Sequence, residues 1–207
     1  MMNPTIEVIK QLRSETGAGV MECRKALEQG NQNFEKALAY LQENAVINAK
    51  KQTSHEAREG KIELYSHSNG RIGVMVEINV ETEFASRSEI FRNFTHEIAL
   101  QITSASPLYV RDEDIPPQVL DEQARAASEK ARCAGKPERI IEQIVDGVLE
   151  KYKIQHVLIR QEYIRDENIT IAQLLSQAIG HIGENIVIRR FIRWEICPDA
   201  EEITPIH

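Results

Sequence analysis

Arg71-Ile72-Gly73-Val74-Met75-Val76-Glu77-Ile78-Asn79-Val80 runs directly into Glu81-Thr82-Glu83-Phe84. Ile72, Val74, Val76, Ile78 and Val80 fall at period two, which predicts a strand with one apolar face. Beyond the acidic stretch, Ile90, Phe94, Ile98 and Ile102 recur every four residues with Phe91 alongside, as an amphipathic helix laid on that face requires. The turn between them is therefore anchored at both ends. Phe84 belongs to neither period. It reads as a stray core residue or as a side chain presented to a partner.

Working outward, Lys61-Ile62-Glu63-Leu64-Tyr65 alternates, and Ser68-Asn69-Gly70 supplies a turn of residues that tolerate positive φ, so a hairpin precedes the acidic turn. Ser104 to Pro107 end the helical pattern, and Leu108-Tyr109-Val110 reads as a short strand. After Ile115-Pro116-Pro117 comes a charged helix whose inner side carries only Leu120, Ala124, Ala127 and Ala131. Gly135-Lys136-Pro137 breaks it, and Ile140, Ile141, Ile144, Val148 and Leu149 predict a better buried helix packing back, a helical hairpin over residues 117–154. Thr170 caps a further helix with Ile171, Leu174, Leu175 and Ile179 inward, ending at Gly183. Asn185 to Cys197 alternates again. Ile186, Ile188, Ile192, Trp194 and Ile196 fall on one register and Val187, Arg189, Phe191 and Arg193 on the other. The strand is expected to close the sheet begun at Lys61, with Arg189, Arg190 and Arg193 either guarding an edge or marking an anionic partner.

The first 50 residues read as three short helices. Thr5 caps the first, with Ile6, Ile9 and Leu12 on its buried stripe; Gly17-Ala18-Gly19 ends it; Val20 opens the second, with Ala26 and Leu27 inward up to Gly30; Phe34, Leu38 and Leu41 mark a third, capped near Asn33. Gly17-Ala18-Gly19 follows no strand and precedes no Gly-Lys-Ser/Thr, so it reads as an interhelical turn rather than a phosphate loop. Residues 48–60 are polar and read as a linker. We expect a helical domain with its linker over 1–55 and a core domain over 56–207.

Composition narrows the function. The 207 residues are 42% hydrophobic, enough for a core, and carry a formal net charge of −7, which argues against direct nucleic-acid binding. Cys23, Cys133 and Cys197 are too widely spaced for a zinc site and suggest a reducing compartment. No leader and no run of about 18 apolar residues is evident, so a cytoplasmic chain away from the membrane is expected. His67, His96 and His156 stand beside no activating Cys or Ser motif, and Glu81 and Glu83 lack a cleft, so neither an enzyme nor a cofactor is expected.

Four stretches in order carry a family resemblance. Thr16-Gly17-Ala18-Gly19-Val20-Met21-Glu22-Cys23-Arg24-Lys25-Ala26-Leu27 resembles the N-terminal signature of elongation factor Ts, the guanine-nucleotide exchange factor of elongation factor Tu. Glu81-Thr82-Glu83-Phe84 resembles that family's Glu-Thr-Asp-Phe motif, Lys136-Pro137 followed by Ile140 to Tyr152 a further stretch, and Gly183 to Phe191 its closing strand. The resemblance implies an α+β fold: a ubiquitin-associated-like three-helix bundle, then an antiparallel sheet flanked by helices with an inserted helical hairpin.

It also implies a function. The N-terminal module, at Thr16, Gly17, Ala18, Gly19, Val20, Met21 and Arg24, would touch the GTPase domain of elongation factor Tu. Thr82, Glu83, Phe84 and Ala85 would push beside the nucleotide and disturb the magnesium ion, whose strict octahedral geometry makes it sensitive to small shifts. Here Glu83 replaces the family's usual Asp, and Leu100-Gln101-Ile102-Thr103 replaces a Met-His-Ile-Ala pattern. Longer members carry two copies of the sheet domain, so a homodimer is expected here, joined through Val187 and Phe191 of the closing strand. The competing reading is an adaptor whose N-terminal bundle binds a ubiquitin-like or helical ligand.

Overall fold

A computed structural model describes residues 6–16, 18–41, 44, 55–68 and 70–196. The expected Thr5 cap, Gly17, Asn69, Cys197 and most of the linker at 48–60 lie outside them. Helices α1 (Ile6–Thr16), α2 (Val20–Gln29) and α3 (34–41) enclose a first cluster of Leu12, Cys23, Ala26, Leu27, Ala37 and Leu41. The stripe of α1 differs from the expected one. Ile6 is exposed, and Val8 takes its place beside the expected Ile9 and Leu12. At about 100° per residue, Ile6 lies about 120° from Leu12 whereas Val8 lies about 40° away. The second helix ends where Asn31 and Gln32 take φ of 52° and 63°, and the Asn33 side chain accepts the Lys36 N–H at 3.0 Å to start the third.

The rest of the chain runs β1 (Glu59–His67), β2 (Ile72–Val80), α4 (Glu83–Ser86), α5 (Glu89–Ala105), α6 (Pro117–Cys133), α7 (Glu138–His156), β3 (Glu162–Tyr163), β4 (Asp166–Thr170), α8 (Ile171–Ile182) and β5 (Ile186–Glu195). The sheet is antiparallel in the order β1-β2-β5, so the closing strand pairs with the central one across more than a hundred residues of chain, as its alternation predicted. The fold is α+β. Val74, Val76, Ile78 and Val80 meet Phe91, Phe94, Ile98, Ala99 and Ile102 of α5, with Ile186, Ile188, Ile171 and Ile179 completing the main core. Ile90 is exposed and Phe91 takes its place. A four-residue repeat drifts against a 3.6-residue turn, which leaves Ile90 about 80° from Ile98 and Phe91 only about 20° from it.

Four further details depart from the sequence reading. Leu108-Tyr109-Val110 forms one isolated bridge, Tyr109 to Val157, rather than a strand. The β3–β4 hairpin was not anticipated, its pairing being short and irregular. Helix α7 is not deeply buried: only Ile141 among its expected apolar positions is enclosed, and Ile140 is exposed, because the alanine stripe of α6 brings the helices close but covers little area. Arg160 fastens the base of this pair, giving Asp112 a bidentate contact and Glu150 a single one.

The fourth departure lies in β5. Val76 pairs with Phe191, Glu77 with Arg190 and Ile78 with Ile188, so Arg189 is an extra residue and the strand carries a bulge. The two faces exchange there. Ile186 and Ile188 point into the core, and beyond the bulge Phe191 packs on the core while Arg193 donates to the Thr103 carbonyl. Ile192 and Trp194 consequently face outward with Ile62, Leu64 and Met75, and Leu64, Met75 and Ile192 form one cross-strand row. Phe191 therefore does not belong to the outer apolar surface expected of it, whereas Val187, opposite Asn79 and before the bulge, stays on the outward side half-buried.

Gln101 is fully buried. Its amide donates to Gln161 Oε1 and to the Glu162 carbonyl at 3.3 and 3.1 Å, and its oxygen accepts the Ile164 N–H at 3.0 Å. It ties α5 to the β3–β4 hairpin and presents nothing at the surface.

Candidate functional site

The acidic turn is a single turn of helix. Thr82 caps α4 by accepting the Ala85 N–H at 3.2 Å, and Ser88 caps α5 immediately afterwards by accepting from Phe91. Two caps six residues apart break what would otherwise be one helix. Ala85 is buried against the core, which fixes the rotation of the turn and sends Phe84 outward with 87% of its surface exposed. Glu83 is also exposed and pairs with Arg87 one turn on.

A polar lock holds this turn from the other side. Glu184 accepts the Thr82 N–H at 2.9 Å and the Thr82 hydroxyl at 2.8 Å, while Glu81 accepts the Asn185 N–H at 2.6 Å. The His55 ring lies 3.2 Å from both oxygens of Glu81, and the His55 carbonyl accepts from the Asn185 amide at 2.6 Å. The end of β2, the start of β5 and the entry to β1 thus meet in one corner. Sequence reading missed Glu81, Glu184, Asn185 and His55 as a group. The signal was Gly183, whose φ of 80° ends α8 and turns the next residue toward the strand ends.

The N-terminal candidates group separately. The Thr16 hydroxyl donates to the Leu12 carbonyl at 2.6 Å and accepts the Ala18 N–H, closing α1. Gly19 opens α2 with its N–H on Glu22. Val20 and Met21 stand exposed at the head of α2, Met21 at 71%, and Arg24 pairs with Glu28. Burial raises the Cys23 thiol above its ordinary pKa. Gly17 lies outside the described residues.

Among the described residues, no three His, Cys, Asp or Glu side chains are grouped to hold a metal, and no helix is long and apolar enough to cross a membrane. What the arrangement offers is two exposed apolar tips, each on a fixed helical start. Such tips suit contact with another macromolecule.

The family model described as Elongation factor TS matches residues 5–178. The chain belongs to the elongation factor Ts family. Elongation factor Ts of Thermoanaerobacter sp. (strain X514) is 44% identical over 91% of this chain and 93% of its own length. That of Caldanaerobacter subterraneus subsp. tengcongensis is 46% identical over 91% and 94%, and that of Coprothermobacter proteolyticus 43% over 94% and 99%. Membership of the elongation factor Ts family makes the chain a translation elongation factor. The turn that bears Phe84 is one of the four stretches that carry the family resemblance.

Proposed function

We propose that this chain releases GDP from elongation factor Tu, acting without covalent chemistry as its guanine-nucleotide exchange factor. Phe84 is the observation that carries the reading. A phenyl ring so exposed on so constrained a turn has an apolar surface in water and little freedom to hide it. In this reading Thr82, Glu83, Phe84 and Ala85 enter beside the nucleotide and shift the magnesium ligands, loosening GDP and allowing GTP to rebind. Coupling between nucleotide and factor is reciprocal, so the nucleotide weakens the factor's hold by the same ratio and the factor recycles. Thr16 to Met21 and Arg24, on a ubiquitin-associated-like domain over 1–55, would grip the GTPase domain and anchor the core domain, 56–207, over the site.

The cytoplasm is where such a partner is met. The outward face of the sheet, with Leu64, Met75, Ile192 and Trp194, supports a homodimer, because a two-fold axis sets one copy of an apolar face against the same face of another. The test is a fluorescent-GDP release assay. Substoichiometric chain should accelerate release from elongation factor Tu with turnover. Binding without acceleration would instead indicate the adaptor reading.

A further inference from the structure

Burial anchors the Phe84 turn through a single small side chain. Of the four residues Thr82 to Ala85, only Ala85 is buried. The backbone at Thr82 is fixed by a carboxylate from a segment 102 positions away: each oxygen of Glu184 takes a separate donor of Thr82, one the N–H and one the hydroxyl. The hydroxyl oxygen at the same time accepts the Ala85 N–H. Donating toward Glu184 therefore sets the Thr82 rotamer, and that rotamer in turn caps α4. Glu81 returns the contact by binding the Asn185 N–H, so that neither segment moves alone. Hydrogen bonds to a charged acceptor are shorter and stronger than neutral ones.

We infer that Glu184 is a positioning residue: it touches no partner, yet it fixes the direction in which Phe84 is presented. The inference rests on the exchange reading above for its functional consequence, while its structural half stands in the free chain.

Two measurements separate them. Amide hydrogen exchange of the free chain reads the lock directly, and GDP release from elongation factor Tu at saturating factor reads its effect. Glu184→Ala should expose the Thr82 and Ala85 amides and lower the maximal release rate by about tenfold, equivalent to about 1.4 kcal/mol. The half-saturating concentration and the unfolding temperature should hardly change. A variant that was merely less folded would lose active protein instead and keep its maximal rate per folded molecule. Glu184→Gln keeps one acceptor oxygen and should recover part of the rate; it also serves if the alanine variant does not fold. Unchanged Thr82 and Ala85 amides would overturn the inference. So would a wild-type maximal rate in Glu184→Ala beside a slow Phe84→Ala, an outcome that leaves the exchange reading intact. If the wild-type chain releases no GDP, the exchange reading fails and the amide measurement alone decides the lock.

Discussion

Replacing Phe84 with alanine should separate folding from function. A fully buried phenylalanine loses about 3 to 5 kcal/mol on truncation. Phe84 is already 87% exposed, so roughly an eighth of that, about 0.5 kcal/mol, is the expected loss to the fold. For a chain of this size the unfolding midpoint should fall by no more than about 2 °C. The effect on the partner is far larger. Burying about 150 Å² of ring at about 25 cal/mol per Å² contributes up to about 4 kcal/mol, and incomplete burial reduces this to about 2. GDP release should then slow by roughly thirty- to a thousand-fold. Thermal unfolding and stopped-flow release of fluorescent GDP read the two halves. A midpoint lowered by 10 °C or more would mean that the ring packs within the fold, and a wild-type release rate would mean that it is no wedge.

Glu83→Asp should retain exchange activity within about threefold, because the exposed carboxylate keeps its charge and Arg87 its partner; a large loss in the same assay would show that its reach matters. Gly60→Ala should destabilise the core by about 1 to 3 kcal/mol in urea unfolding, since a Cβ there would collide with the Ile78 carbonyl oxygen and Gly60 holds φ of 145°, and a neutral result would contradict that crowding. Acid should weaken the fold through Glu63, Glu97 and Asp112. Partial burial pushes their pKa values up, but Lys61 and His96, Arg165 and Tyr163, and Arg160 respectively outweigh it and hold them below their ordinary values. The folded state thus binds these protons more weakly than the unfolded chain, so their contribution is complete above about pH 5 and is lost as pH falls. Glu97→Gln should flatten the difference between midpoints at neutral and acid pH, and an unaltered difference would remove Glu97 from the account. Finally, light scattering should give about twice the 23.6 kDa chain mass, and Trp194→Lys should return it to one. A wild-type monomer would exclude the dimer.

The strands and helices of the core were legible because their periods are strong. Val74 to Val80 and Ile171 to Ile179 declare their inner faces from spacing alone. Three kinds of information were not so encoded. Phase within a helix was misjudged at Ile6 and Ile90, where a repeat of three or four residues drifts from a 3.6-residue turn. The bulge at Arg189 leaves no mark in composition, so Phe191 and Ile192 were assigned to each other's faces. The lock of Glu81 and Glu184 joins residues more than a hundred apart, and no local pattern announces such a pair. Phe84 itself was visible only as a residue that neither period claimed. Its place among Thr82, Glu83 and Ala85 came with the family resemblance, and its exposure with the coordinates.

The extra residue in β5 means that this strand's allegiance is set by counting. Were Arg189 paired in regular register instead of bulged, the alternation of Ile186 and Ile188 would continue unbroken, Ile192 and Trp194 would turn inward, and Phe191 and Arg193 would turn to solvent. One inserted position lets a single strand serve two masters, core at its start and exterior at its end, with the same kind of residue. Either surface is thereby free to change in sequence without rewriting the other.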